Sequence, residues 1–227
     1  MSILNNVNRV QQEVADTCAS VGRSPEDVTI VGITKYVDND IAEELYASGI
    51  TNLGENRADM FLEKYNEIST KPIWHFVGTL QTRKVRDVIN KIDYLHSLDR
   101  LSLAEEINKR ADKKVKCFVQ VNVAEEVSKH GLAKEDVIEF IKQISVYDKI
   151  EIVGLMTMAP LAADEMVIRS CFSKLRRLQE EVRNLSLIHA PCMELSMGMT
   201  NDYKIAIEEG ATFVRLGRCL IEEDLKC

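Results

Sequence analysis

Short apolar runs alternate along this chain with longer segments in which apolar residues recur at a helical interval. The short runs lie at 28–34, 52–53, 75–78, 94–97, 117–122, 152–156, 193–196 and 213–216. Most are too short for helices and rich in β-branched or aromatic residues, so each reads as a strand. Between them the period changes to about 3.6 residues. Val137, Phe140, Ile141 and Ile144 share one helical face, and Ile168, Cys171, Phe172, Leu175, Leu178 and Val182 do so over a longer helix. Asp99 or Ser102 is placed to cap the segment carrying Leu103, Ala104, Ile107 and Ala111. A stripe of Ile3, Val7, Val10, Val14, Cys18 and Val21 marks a first helix.

Eight strands separated by seven helical segments give strictly alternating α/β order, hence a parallel sheet. Eight is the number that closes a barrel. The expected fold is a single (β/α)8 TIM barrel, with 1–227 as one domain. An open doubly wound sheet is the competing architecture, disfavoured because no GxGxxG follows the first strand. The stretch 219–227 is too short for a full eighth helix, so the extra N-terminal helix is expected to bury its stripe beside strand eight.

The formal charge of −7 argues against a general nucleic-acid or anionic-membrane binder, which needs excess Lys and Arg over a surface. No apolar run approaches the roughly 20 residues that span a bilayer. The first segment mixes Asn, Gln and Glu with its apolar residues and lacks the centre of a secretion signal. Six cysteines without a CxxC pair read as buried reduced thiols of a cytoplasmic protein. Cys and His are too scattered for a zinc site, and no metal is expected.

Barrels of this kind carry their sites at the C-terminal strand ends. Lys35 ends the uncharged run 28–34. A lysine there is either an ordinary surface residue or an amine able to attack a carbonyl, its ammonium form disfavoured by the concave site. The segment Ser196, Met197, Gly198, Met199, Thr200 reads as a loop entering a helix, with Thr200 as N-cap and Asp202 in the first turn. It is either a capped helix with a turn glycine or, with the Gly217 amide, an anion cradle where Gly198 lets the backbone approach a ligand. Arg215 interrupts an apolar strand and is either half of a structural ion pair or a ligand contact. Taken alone, Asn56 reads as a helix cap, His75 as a core histidine, and Met156 and Met158 as core packing.

Six segments occur in a familiar order: Lys35; Gly54-Glu55-Asn56; His75-Phe76-Val77-Gly78-Thr79-Leu80-Gln81; Gly154-Leu155-Met156; Leu195-Ser196-Met197-Gly198-Met199; and Val214-Arg215-Leu216-Gly217. Together they resemble the pyridoxal phosphate homeostasis proteins, relatives of the N-terminal barrel of alanine racemase, from the first helix to about Gly217. The resemblance implies a pyridoxal 5'-phosphate (PLP) cofactor held as a Schiff base on Lys35. It implies a phosphate loop of Ser196, Met197, Gly198, Met199 and Thr200, where many relatives have Ser at the place of Thr200. It also implies a Gly217 amide on the phosphate, Arg215 facing the pyridine nitrogen, and pocket places for Asn56 and His75. Arg83 stands where relatives commonly have Asn, and the tail after Arg218 lacks the usual Phe-Gly.

A cationic Arg215 beside the ring nitrogen would weaken the cofactor's electron sink. The implied role is therefore to carry, store or regulate PLP in vitamin B6 homeostasis rather than to act as a dedicated catalyst. The alternatives are an amino-acid racemase or other PLP-dependent enzyme of broad specificity, and a Schiff-base aldolase using Lys35 on a sugar phosphate. The expected partners are the cofactor itself and PLP-dependent apo-enzymes, with no nucleic acid and no membrane, and the chain is expected to be a monomer.

Overall fold

The computed structural model describes residues 2–124, 130–160 and 163–222. Helix α1 (Ile3–Ser20) leads into strand β1 (Thr29–Ile33), and the chain then alternates strictly. In order come α2 (Asn39–Ala47), β2 (Asn52–Glu55), α3 (Ala58–Glu67), β3 (Ile73–Phe76), α4 (Val85–Val88) and β4 (Tyr94–Leu98). After them come α5 (Leu101–Arg110), β5 (Val115–Gln120), α6 (Val137–Gln143), β6 (Ile150–Met156) and α7 (Glu165–Asn184). The chain finishes through β7 (Glu194–Ser196), α8 (Tyr203–Glu208), β8 (Phe213–Leu216) and α9 (Arg218–Ile221). The strands form a closed parallel barrel in sequence order, and β8 closes it on β1 with Val31 opposite Arg215. The barrel, not the open sheet, is the fold.

Strand alternation sorts the apolar residues into two cores. Leu53, Phe76, Leu95, Val119, Leu155 and Leu216 join the large shell under the helices. Val31, Phe118, Val153, Met156 and Phe213 form a smaller cluster, with Ile33 and Tyr94 packed against it, inside the barrel. Each fully buried Leu or Phe contributes on the order of 1.5–3 kcal/mol, so the shell dominates the driving force.

Helix α1 buries Ile3, Val7, Val10, Val14 and Cys18 and packs against α8, α9 and α2. Asn6 donates to Glu222 O at 3.3 Å, and Arg9 to Cys219 O at 3.0 Å. Glu13 accepts the Tyr203 hydroxyl at 2.5 Å and pairs with Lys204 at 2.9 Å. The helix thus stands beside β8, where an eighth crossover helix would lie. Val21 drops out of the stripe, because the helix ends at Ser20 and the chain turns at Gly22 (φ +69°). There the Arg23 N–H donates to Cys18 O at 2.9 Å, a left-handed helix stop.

Several boundaries differ from those read in the sequence. β5 and β6 begin earlier, at Val115 and Ile150, because Lys116 and Glu151, which break the apolar runs, are register partners. Helix α5 is capped by neither Asp99 nor Ser102; its N-cap is Arg100, without a side-chain cap. Cys18, Cys117 and Cys192 are buried, and burial pushes the Cys192 thiol up to about 12. Among the described residues, no helix is long and apolar enough to cross a membrane. Cys227 and most of the divergent tail lie outside the described residues.

Candidate functional site

The C-terminal strand ends bring Lys35, Asn56, Ser196, Arg215 and Gly217 to one mouth of the barrel. Lys35 lies in a turn that leaves β1, closed by the Val37 N–H donating to Thr34 O at 3.2 Å. It is half-buried, with its amine 4.7 Å from the centre of the Tyr36 ring. The preceding residue is fastened from outside the barrel. The Thr34 hydroxyl donates to Glu55 Oε1 at 2.6 Å, and Lys64 of α3 meets the same oxygen at 3.1 Å. The turn that presents Lys35 is therefore tied to β2 and α3 by buried polar contacts.

Arg215 is 5% exposed. Its Nη1 donates to Ser196 Oγ at 2.7 Å and its Nη2 to Thr157 O at 2.9 Å. No carboxylate pairs with it among the described residues, so the structural ion pair is not the explanation for this buried cation. Burial lowers its pKa to about 10, against the opposing attraction of Asp202. The guanidinium thus remains charged at neutral pH while held by neutral partners.

The loop after β7 is narrower as a cradle than its sequence implies. The Met197 N–H is committed to Phe213 O at 3.1 Å, and its side chain packs in the outer shell. The Met199 N–H donates to Asp202 Oδ1 at 2.5 Å. Asp202, not Thr200, is the N-cap residue of α8, and its carboxylate closes the loop instead of lying inside the helix. Burial pushes the Asp202 carboxyl up, opposed by the Met199 amide and Arg215. The Thr200 hydroxyl reaches Cys219 Sγ at 3.6 Å. The amides left without a protein acceptor among the described residues are those of Gly198, Thr200, Asn201 and Gly217. Unpaired N–H groups beside a buried guanidinium make a donor set that suits a phosphate.

Gly198 has its own reason to be glycine. At φ +95°, a Cβ there would stand 2.6 Å from Ala206 Cβ. Seating α8 is thus one requirement for glycine at this position. Asn56 is half-buried on the rim and does not cap α3, whose N-cap is Arg57. Gly78 crosses so close to it that a Cβ would fall 2.1 Å from Asn56 O.

His75 lies in the packed lumen of the barrel. It is fully buried, stacked on Tyr94 at 4.7 Å, and both ring nitrogens are satisfied by the protein. Its Nε2 meets Asn52 Oδ1 and its Nδ1 meets His96 Nε2, each at 2.9 Å. His96 Nδ1 in turn meets Ser196 Oγ at 2.8 Å. Burial drives His75 down to about 3, and burial with the neighbouring His75 and Arg215 lowers His96 well below its usual range. His96, Asn52 and Thr157 belong to the site's support and were not singled out in the sequence. The available signal was parity, since His96 stands two residues after the inward-facing Tyr94.

The alanine racemase N-terminal domain family matches residues 31–222. A curated relative from Aquifex aeolicus, a pyridoxal phosphate homeostasis protein, is 36% identical over 98% of this chain and 99% of its own. The chain belongs to the pyridoxal phosphate homeostasis protein family. Among solved structures, PipY of Synechococcus elongatus with PLP bound superposes with a TM-score of 0.80 at 29% identity, covering 92% of this chain and 99% of that one. A protein from Bifidobacterium adolescentis of unknown function superposes at 0.91 with 31% identity, covering 96% and 94%. The family's barrel, with its leading helix, is the architecture described above.

Proposed function

We propose that this chain binds PLP at the C-terminal mouth of its barrel and holds it in reserve for vitamin B6 homeostasis. The observation that carries the reading is Arg215, a buried cation clamped by a hydroxyl and a carbonyl beside a group of unpaired amides. The family's homeostasis role and the PLP of the Synechococcus relative support it.

The donor set fits the group. When bound, PLP supplies an aldehyde that condenses with amines and a pyridine ring that withdraws electrons. Lys35 would be the covalent anchor. The Thr200, Asn201 and Gly217 amides would hold the phosphate, with Gly198 shaping their loop. Arg215 would face the ring nitrogen, where its fixed charge opposes protonation and keeps the electron sink weak. Neutral imidazoles behind it add no further positive charge at neutral pH.

The finer reading is that the chain acts in the cytoplasm as a monomer and yields its cofactor to apo-enzymes. The deciding experiment is an absorbance spectrum of the protein mixed with PLP, before and after borohydride, followed by peptide mapping. A visible band that borohydride removes, with the pyridoxyl label on Lys35, is expected. The absence of any such band would overturn the reading.

A further inference from the structure

The lumen of an eight-stranded barrel is ordinarily filled by layers of branched apolar side chains. Here one file through it is polar: Asn52, His75, His96 and Ser196, ending on Arg215. The direction of the links follows from the far end. The Asn52 group facing His75 is its amide oxygen, which only accepts, so His75 Nε2 carries a proton and donates it to Oδ1. In a neutral His75, Nδ1 then accepts from His96 Nε2–H. In a neutral His96, Nδ1 in turn accepts the Ser196 hydroxyl proton. The Ser196 lone pairs are left to accept from Arg215, whose guanidinium only donates. The Asn52 amide is oriented with Nδ2 toward Thr51 Oγ1 at 3.4 Å.

We propose that His96 and His75 are positioning residues for Arg215, fixing through a one-way hydrogen-bond chain the acceptor that holds the guanidinium at the cofactor mouth. A well-packed apolar file would serve stability as well, because buried polar groups gain little net energy over apolar ones of the same shape. What the file adds is direction. Without His96, the Ser196 hydroxyl can turn its proton elsewhere, and Arg215 keeps Thr157 O as its one fixed acceptor. The packed rings of Tyr94, Phe118 and Phe213 surround the two imidazoles, and the Tyr94 hydroxyl accepts from Lys116 at 3.3 Å. Among the described residues, neither ring is hydrogen-bonded to a lysine or a carboxylate. The inference rests on the cofactor reading only for what Arg215 faces, not for how it is held.

The test uses nitrogen-15 NMR of the full chain without cofactor. Both His75 and His96 should be neutral Nε2–H tautomers, and the Arg215 Nη groups should give separate signals of a guanidinium that does not rotate freely. His96→Leu should collapse those Nη signals into an average. His96→Asn, which keeps an acceptor near the place of Nδ1, should restore them. Ser196→Ala is the smaller second variant, to be read the same way if His96→Leu does not fold. In the PLP-loaded protein, His96→Leu or Ser196→Ala should weaken retention about tenfold and shift the cofactor band, with His96→Asn close to wild type. An Nδ1–H tautomer at either histidine, or Arg215 signals unchanged in a folded His96→Leu or Ser196→Ala variant, would overturn the proposal. Wild-type protein that takes up no PLP would instead defeat the cofactor reading, and the NMR of the cofactor-free chain would still decide the role of the histidines.

Discussion

Lys64 and Glu55 face each other at 3.1 Å with side chains 1% and 0% exposed. The other carboxylate oxygen, Glu55 Oε2, has no hydrogen-bond partner among the described residues. Breaking such a pair leaves one buried charge uncompensated, at a cost of about 3–5 kcal/mol. Lys64→Met should therefore destabilise the protein by that order. Lys64→Met with Glu55→Gln should recover most of it, since Gln keeps an acceptor for the Thr34 hydroxyl. Urea unfolding of the three proteins measures this, and a double variant no more stable than the single one would refute it.

The pair also tethers the turn that carries Lys35, the residue with the sharpest prediction. Lys35→Ala should abolish borohydride trapping of PLP while the fold persists. Weak, reversible cofactor retention should remain, because Arg215 and the loop amides are untouched. Mass spectrometry of the reduced protein checks it, and a pyridoxyl label found only on another lysine contradicts it.

The barrel was legible in the sequence because its outer strand faces feed one large apolar shell. Residues such as Leu53, Phe76 and Leu216 announce strands whatever the lumen contains. The polar file was not legible. His75 and His96 lie on different strands, and their pairing depends on the register of His75 with Tyr94. Cradle amides are hidden for another reason: whether an N–H is free depends on loop closure, and Asp202 takes that of Met199. The packing constraint on Gly198 was hidden as well, since it comes from Ala206, a residue of the following helix.

That constraint predicts a stability effect without any ligand. Gly198→Ala places a Cβ at φ +95° and 2.6 Å from Ala206 Cβ, so it should cost about 1–3 kcal/mol. Adding Ala206→Gly removes the clash but not the backbone strain, and should recover only part. Thermal unfolding of cofactor-free protein distinguishes the two contributions. A neutral Gly198→Ala would show that α8 shifts freely and that the loop is not fixed.

The buried histidines predict how stability depends on acid. Burial lowers His75 to about 3 from 6.5, so the unfolded chain binds a proton there that the folded chain refuses. The unfolded state therefore holds more protons between these values, and stability must fall as pH drops below 6.5, by about 1.4 kcal/mol per unit for each such histidine. His96, lowered in the same direction, adds to the slope. His75→Phe should flatten it. Equal slopes for wild type and variant between pH 6 and 4 would show that the imidazole is not held neutral.

The electronic role of Arg215 can be separated from its grip. Its pKa, lowered to about 10, still leaves a full positive charge at neutral pH. In the proposed placement, a fixed cation beside the pyridine nitrogen disfavours a second positive charge there, so the bound ring should be unprotonated and the cofactor chemically quiet. Arg215→Glu reverses the local charge and should favour a protonated ring nitrogen. Bound amino acids should then exchange their α-proton with solvent deuterium faster than in wild type, even where cofactor affinity falls. Ser196 and Thr157 would lose their cationic donor, and an uncompensated Glu in this buried place could cost several kcal/mol, so folding is checked first by circular dichroism. Nitrogen-15 NMR of labelled cofactor in both proteins decides the matter. A protonated ring nitrogen in wild type would refute the electronic argument while leaving Lys35 as the proposed anchor, because that covalent bond would form at the aldehyde and not at the ring nitrogen.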